Sequence, residues 1–110
     1  MTLPFLLELT NPHAYPHPCN AIELIETHIS WVLLTGPFAY KIKKPVNLGY
    51  LDYTTLAKRR FFCQQEVALN RRLCPDIYLG MVAVSKAKGR FVIEGKGRAL
   101  EYAVKMRRLP

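Results

Sequence analysis

The first forty residues contain no lysine and no arginine. Their carboxylates are Glu8, Glu23 and Glu26, for a charge of −3, while the rest of the chain holds all sixteen basic side chains against five acidic ones, for +11. The resulting field attracts nucleic acid, acidic lipid or phosphorylated small molecules, and does not by itself choose among them. Cysteine is scarce. Cys19, Cys63 and Cys74 are an odd set without C-x-x-C spacing, which speaks against a disulfide framework or a cysteine-rich zinc site and suits a reducing compartment. No apolar run approaches the ~18 residues of a membrane span. The opening "MTLPFLLELT" lacks a basic leader and carries Glu8, a poor match to a signal peptide. These absences predict a soluble cytoplasmic protein with no membrane partner. No internal repeat or low-complexity segment stands out. What is present is 110 residues, half of them hydrophobic, enough for one domain over residues 1–110.

Leu3 to Leu9 suits a short apolar helix. The proline-rich "NPHAYPHPCN" must be a loop. Strands are expected over "AIELIETHIS", "SWVLLTG" and "FAYKIKK", the last two joined by a short turn at Thr35-Gly36-Pro37. "VNLGYLDYTT" is a connection with two tyrosines to anchor it. Thr54 or Thr55 can cap a helix that runs to about Leu73, before Cys74-Pro75 breaks it. "IYLGMVAVS", "RFVIE" and "ALEYAVKMR" read as further strands, separated by "KAKG" and "GKG". The fold class predicted is α+β, an antiparallel sheet of about five strands with one main helix packed on it.

Alternation on the third strand puts Phe38, Tyr40 and Ile42 on one face, and Ala39, Lys41 and Lys43 on the other. The first face is ordinary core. The second sets a small residue two positions before a lysine. A flat aromatic ligand could lie over Ala39 with its phosphates on the Lys41 ammonium; the plain alternative is a solvated face. In the helix, Phe62, Cys63, Leu69 and Leu73 fall on one stripe at 3.6 residues per turn, with Glu66 in its middle. Arg60, Gln64, Ala68 and Arg71 point away. A lone carboxylate on a buried face is costly unless a cation meets it, and Lys41 is the natural candidate. Alternatively Glu66 sits at the stripe's edge, near Arg59 and Asn70, and reaches water.

Taken together, "ETHISWVLLTG", "AYKIKKPV", "FCQQEVALNRRL" and "EYAVKMRRLP" resemble the N-terminal lobe of protein-kinase-like folds. More narrowly they resemble a bacterial family of aminoglycoside-phosphotransferase-like proteins, often fused to a C-terminal P-loop kinase domain. The resemblance runs from Tyr15 onward. It implies a lobe that binds ATP or GTP with magnesium. Lys41 would hold the α- and β-phosphates, and Glu66 would orient that lysine. The turn Thr27-His28-Ile29-Ser30 would position the nucleotide. It contains no glycine, so Ser30 and local N–H groups would hold phosphate. Ala39 would pack on adenine, Met106 would close the back of its pocket, and the backbone of Arg107 to Leu109 would act as the hinge that bonds the adenine edge. The catalytic base and the magnesium ligands of such kinases lie in a second lobe. The chain's only aspartates, Asp52 and Asp76, stand in neither an H-x-D nor a D-x-D setting. No catalytic residue and no metal ligand is therefore assigned here, and the chain alone should not transfer phosphate. The missing lobe, or self-association through the exposed hinge face, would be its partner beside the nucleotide.

Other patterns are weaker. "GRFVIEGKG" mimics a phosphate-binding loop, but its glycine spacing is one residue too long and Gly97 stands where Ser or Thr is needed, so it reads as a hairpin. His13, His17 and Cys19 lie close together without a fourth ligand, as an anchored loop. Cys63 suits a core thiol and Cys74 a helix end. A rival reading is a small basic nucleic-acid-binding module, or a non-functional remnant. Charge favours the module, but Trp31, Tyr40, Phe61 and Phe62 show no stacking pattern.

Overall fold

Runs of alternating or continuous apolar residues between turn residues become six strands: β1 (Glu23–Glu26), β2 (Ser30–Thr35), β3 (Phe38–Lys43), β4 (Tyr78–Ala87), β5 (Arg90–Ile93) and β6 (Glu101–Arg107). Two helices, α1 (Leu3–Leu9) and α2 (Leu56–Leu73), and a 3-10 turn at Pro12–Ala14 are the other elements among the described residues. These elements come from a computed structural model that describes residues 3–108. Every strand pairing is antiparallel, in the order β1-β2-β3-β6-β4-β5. The molecule is α+β with one main helix, as its sequence predicts. The strand count is six rather than about five, because the four-residue β5 pairs with β4 and forms the far edge.

The β2–β3 hairpin turns through Gly36, at φ +79°, and Pro37. A glycine-first two-residue turn matches the twist of the flanking strands, and its second position suits proline's fixed φ. Across the sheet, alternation divides the side chains between two faces. One face carries Trp31, Leu33, Tyr40, Ile42, Val84 and Ala103 and is covered by Leu6 and Leu9 of α1 and by Ala14 and Tyr15. His17 lies parallel to the Tyr40 ring at 6.1 Å between centroids, and its Nε2 is 3.3 Å from Thr35 Oγ1. The proline-rich loop is therefore anchored on the core. Among the described residues no three His, Cys, Asp or Glu side chains converge as a metal site.

The other face receives α2. Thr55 caps the helix, its side-chain oxygen accepting from Lys58 N–H at 3.1 Å, and Cys74 ends it. The buried stripe differs from the one predicted. Cys63 and Val67 pack on Val104, with Tyr78, Met81, Tyr102 and Met106 around them. Leu69 points to solvent, and Leu73 is 82% exposed. The true stripe is rotated roughly 70° from the expected one, at ~100° per residue. The rotation follows from pairing: the packed side of α2 carries Arg59 and Glu66, each held by an opposite charge on the sheet, and hydrophobicity alone does not reveal such residues. Of the two tyrosines in the preceding connection only Tyr53 is an anchor; Tyr50 is 84% exposed. No helix among the described residues is long and apolar enough to cross a membrane.

Candidate functional site

Strand register builds the site in rows. Residues directly opposite on antiparallel strands share a face. Leu34, Ala39 and Met106 form one row across β2, β3 and β6, and Val32, Lys41 and Val104 form the next. Ser30 and Lys43 begin a third. The small Ala39 thus stands between two larger apolar neighbours, one step along the strand from an ammonium. This is the side of the sheet on which α2 lies.

Glu66 descends from α2 onto both lysines. Its Oε2 accepts from Lys41 Nζ at 2.9 Å and its Oε1 from Lys43 Nζ at 2.8 Å. The expected meeting of Lys41 with Glu66 is present, and a second lysine shares it. The two lysines differ in access. Lys43's side chain is 6% exposed and Lys41's 29%. Lys43 also lies over the Tyr53 ring, 5.0 Å from its centroid. Burial works against the charge of Glu66, yet the hydrogen bonds from Lys43 and Lys41 outweigh it and hold the carboxyl below its usual range. Burial likewise opposes the Lys43 charge, and the bond to Glu66 reverses the balance, raising its pKa. The nearby Cys63 thiol, buried beneath the helix, is pushed up to about 11, so it is no nucleophile at neutral pH.

A second charged contact fixes the start of α2. Arg59 Nε donates to both carboxylate oxygens of Glu101, at 3.0 and 3.1 Å, and its Nη1 donates to the Tyr53 carbonyl at 2.8 Å. Burial raises the Glu101 pKa despite this partner. The sequence places Lys43 on the Lys41 face and Arg59 near the side of Glu66, but marks no partner for either. Nothing local marked the Arg59–Glu101 pair, which spans 42 positions.

Other predicted residues are placed differently. Ser30 is buried, and its hydroxyl is 2.8 Å from Thr27 Oγ1. The N–H groups of Ile29 and Ser30 also reach Thr27 Oγ1, and Thr27 N–H bonds the Ser30 carbonyl. A turn without glycine has folded onto its own threonine, so Ser30 is not presented to a ligand. Met106 is half-buried beside Ala39 and packs on the Cys63, Val67 and Val104 cluster. Arg107 remains within β6, and its N–H bonds the Ile77 carbonyl at 2.7 Å; that of Arg108 bonds Pro37 at 2.8 Å. Neither N–H is free for an adenine edge. Leu109 lies outside the described residues.

Ala39 itself is buried, at 7% exposure, so this face offers a ligand the part-exposed Lys41 side chain and no open apolar platform. It does not fit magnesium. Among the described residues no acidic cluster converges, and Asp52 is taken up by Lys58 and Thr54. A cavity of about 670 Å³ lies elsewhere, between α1 and the β4–β5 hairpin, lined by Leu7, Glu8, His13, Lys88, Arg90 and Phe91 among others. It contains none of the predicted residues.

Comparison with known proteins finds relatives in mycobacteria. A stretch of 68 residues, 62% of this chain, is 40% identical to uncharacterized proteins of Mycobacterium tuberculosis, strains H37Rv and CDC 1551, and of Mycobacterium bovis. The match spans 14% of each relative's length. No protein-family model matches the chain, and no solved structure does.

Proposed function

We propose that this chain is the nucleotide-binding lobe of a kinase-like small-molecule phosphotransferase. One observation carries the reading: a strand lysine, Lys41, is paired at 2.9 Å with a helix glutamate, Glu66, and keeps part of its side chain open to solvent. In phosphoryl transfer such a lysine holds the nucleotide's phosphates while a carboxylate aims it. Ala39, which is buried, and Met106 opposite it stand in the next row of the same face. The chain's own work is binding and orientation. The acceptor, a base and the metal ligands belong, on this reading, to a second lobe. The relatives' far greater length leaves room for them in those proteins.

The test is ligand-observed NMR with ATP and GTP on the 110-residue chain. Binding near the millimolar range is expected, since half a site gives up the contacts of a second lobe. Lys41→Ala should weaken it at least about tenfold, one charge-assisted contact's worth. Lys86→Ala and Lys88→Ala, on the β4–β5 hairpin, should leave it nearly unchanged. No turnover with magnesium and a panel of aminoglycosides or sugars is expected. Equal small losses from all three lysines, with steep salt dependence, would instead describe diffuse polyanion binding.

A further inference from the structure

We infer that the cavity between α1 and the β4–β5 hairpin binds a small amphipathic anion, an apolar tail carrying one carboxylate. The inference goes beyond the reading above and does not rest on it.

Contacts inside the protein fix the walls of this cavity. β5 is an edge strand, and such strands recruit other strands through their unpaired N–H groups. Here the Phe91 N–H is taken by Glu8 Oε1 at 2.7 Å, and the Phe91 ring meets that of Phe5 edge-on at 5.1 Å between centroids. The turn after α1 is held by Asn11 Oδ1, which accepts from His13 N–H at 3.0 Å. α1 therefore occupies the strand edge, and the space of about 670 Å³ beside it is lined by side chains. That volume lies in the range of small-molecule sites.

The lining divides by kind. Leu7, Ala14, Phe91 and Val92 supply apolar surface, and Leu7 is 68% exposed, a large apolar side chain with room for a partner. Lys88 and Arg90 supply charge from the hairpin, and both are exposed. Among the described residues neither belongs to an ion pair. Glu8, the acidic residue of the lining, is committed to the Phe91 N–H. Lys86 is held over the Phe91 ring, 4.9 Å from its centroid. Two lining cations against one carboxylate leave a single positive charge, which matches a monoanion better than a polyphosphate. The planar guanidinium of Arg90 suits the two oxygens of a carboxylate. Lys88 stands at φ +53°, where asparagine or glycine would be less strained. Strain of this kind collects at positions that hold ligands. The ligand's head thus belongs at the hairpin and its tail against Leu7 and Phe91. A nucleotide, which has no such tail, gains nothing from the apolar wall.

The probe is octanoate, followed by amide NMR on the whole 15N-labelled chain, with hexanoate, acetate and octyltrimethylammonium as comparators. Octanoate should shift the amides of Leu7 and Phe91 saturably. It should bind about three- to tenfold tighter than hexanoate, the effect of two more methylenes in a partly open site. Acetate is a head without a tail, and octyltrimethylammonium a tail with the opposite head; neither should move those amides at the same concentration. Arg90→Gln should weaken octanoate about three- to tenfold, and Leu7→Gln about threefold. Lys96→Gln removes an equal charge from the turn after β5 and should change affinity less than about twofold. Lys88→Asn keeps the test independent of variant folding. It relieves the left-handed lysine, so stability in urea should not fall, while octanoate should bind about two- to fivefold more weakly.

Losses confined to Leu7, Lys88 and Arg90, together with the dependence on tail length, support the site. Acetate as effective as octanoate overturns the apolar tail, and octyltrimethylammonium as effective as octanoate overturns the anionic head. Displacement of octanoate by ATP overturns the preference for a monoanion. Absence of binding, or a loss from Lys96→Gln as large as that from Arg90→Gln, overturns the site itself.

Discussion

Glu66 makes the charge state of one helix residue visible in stability. Its carboxyl is held below its ordinary range in the folded protein. Its stabilisation is therefore fully present above the unfolded value, about 4.3, and is lost as pH falls through the lower folded value. Lys43 is shifted upward, so its stabilisation is present below the unfolded value of about 10.4 and is lost as pH rises through the folded one. Wild type and Glu66→Gln should differ by ~2–4 kcal/mol in urea unfolding at pH 7, as expected for breaking a largely buried pair. The gap should begin to narrow below about pH 4.3, closing through the lower folded value of Glu66, and narrow again above about pH 10.4 as Lys43 is deprotonated. Glu101 is raised and acts with the opposite sign in acid, but it is common to both proteins and cancels in the difference. A gap that stays constant with pH would assign the loss to packing.

At the scale of elements, the β4–β5 hairpin turns through Lys88 at φ +53° and Gly89 at φ +82°. Two successive positive φ values are the requirement of a type I′ turn. Glycine meets it without strain, but lysine does not. Lys88→Asn should raise stability by ~0.5–1 kcal/mol, because asparagine tolerates the left-handed region; an unchanged or lower urea midpoint would show that the turn is not strained there. This turn also illustrates what the sequence discloses. "KAKGR" announced a turn through its glycine, and β3 announced its two faces through strict alternation of Phe38, Tyr40 and Ile42 with Ala39, Lys41 and Lys43. A cap at Thr54 or Thr55 was legible because a hydroxyl precedes a long helix-forming run, and the fold takes Thr55. The packed side of α2 was not. Its apolar residues are scattered, with Phe61, Leu69 and Leu73 outward, and the inward role of Arg59 is identified only by Glu101, 42 positions along the chain. Placement of β6 between β3 and β4 is long-range for the same reason. At the site, the Lys41–Glu66 meeting followed from one strand face and one helix position. The self-bonded Thr27–Ser30 turn depended on a side chain's choice of partner, which no spacing records.

Considered as a whole molecule, the chain leaves Leu24 and Ile25 of β1 exposed on one edge and Phe61, Leu69 and Leu73 exposed on the outer side of α2. Apolar surface of this kind favours association. Sedimentation velocity from micromolar to millimolar concentration should show the sedimentation coefficient rising. A single boundary that does not move with concentration would exclude self-association.

The sheet order has one more consequence. It sets β1, with exposed Glu23 and Glu26, at one edge, and β5 with the hairpin cations Lys86, Lys88 and Arg90 at the other. The split of charge along the chain does not become a simple split across the body: Lys44 meets Glu26 at the first edge, and Glu8 accepts from Phe91 N–H at the second. The exposed cations Lys86, Lys88 and Arg90 of the β4–β5 hairpin nonetheless make that edge one to which a negatively charged surface is attracted.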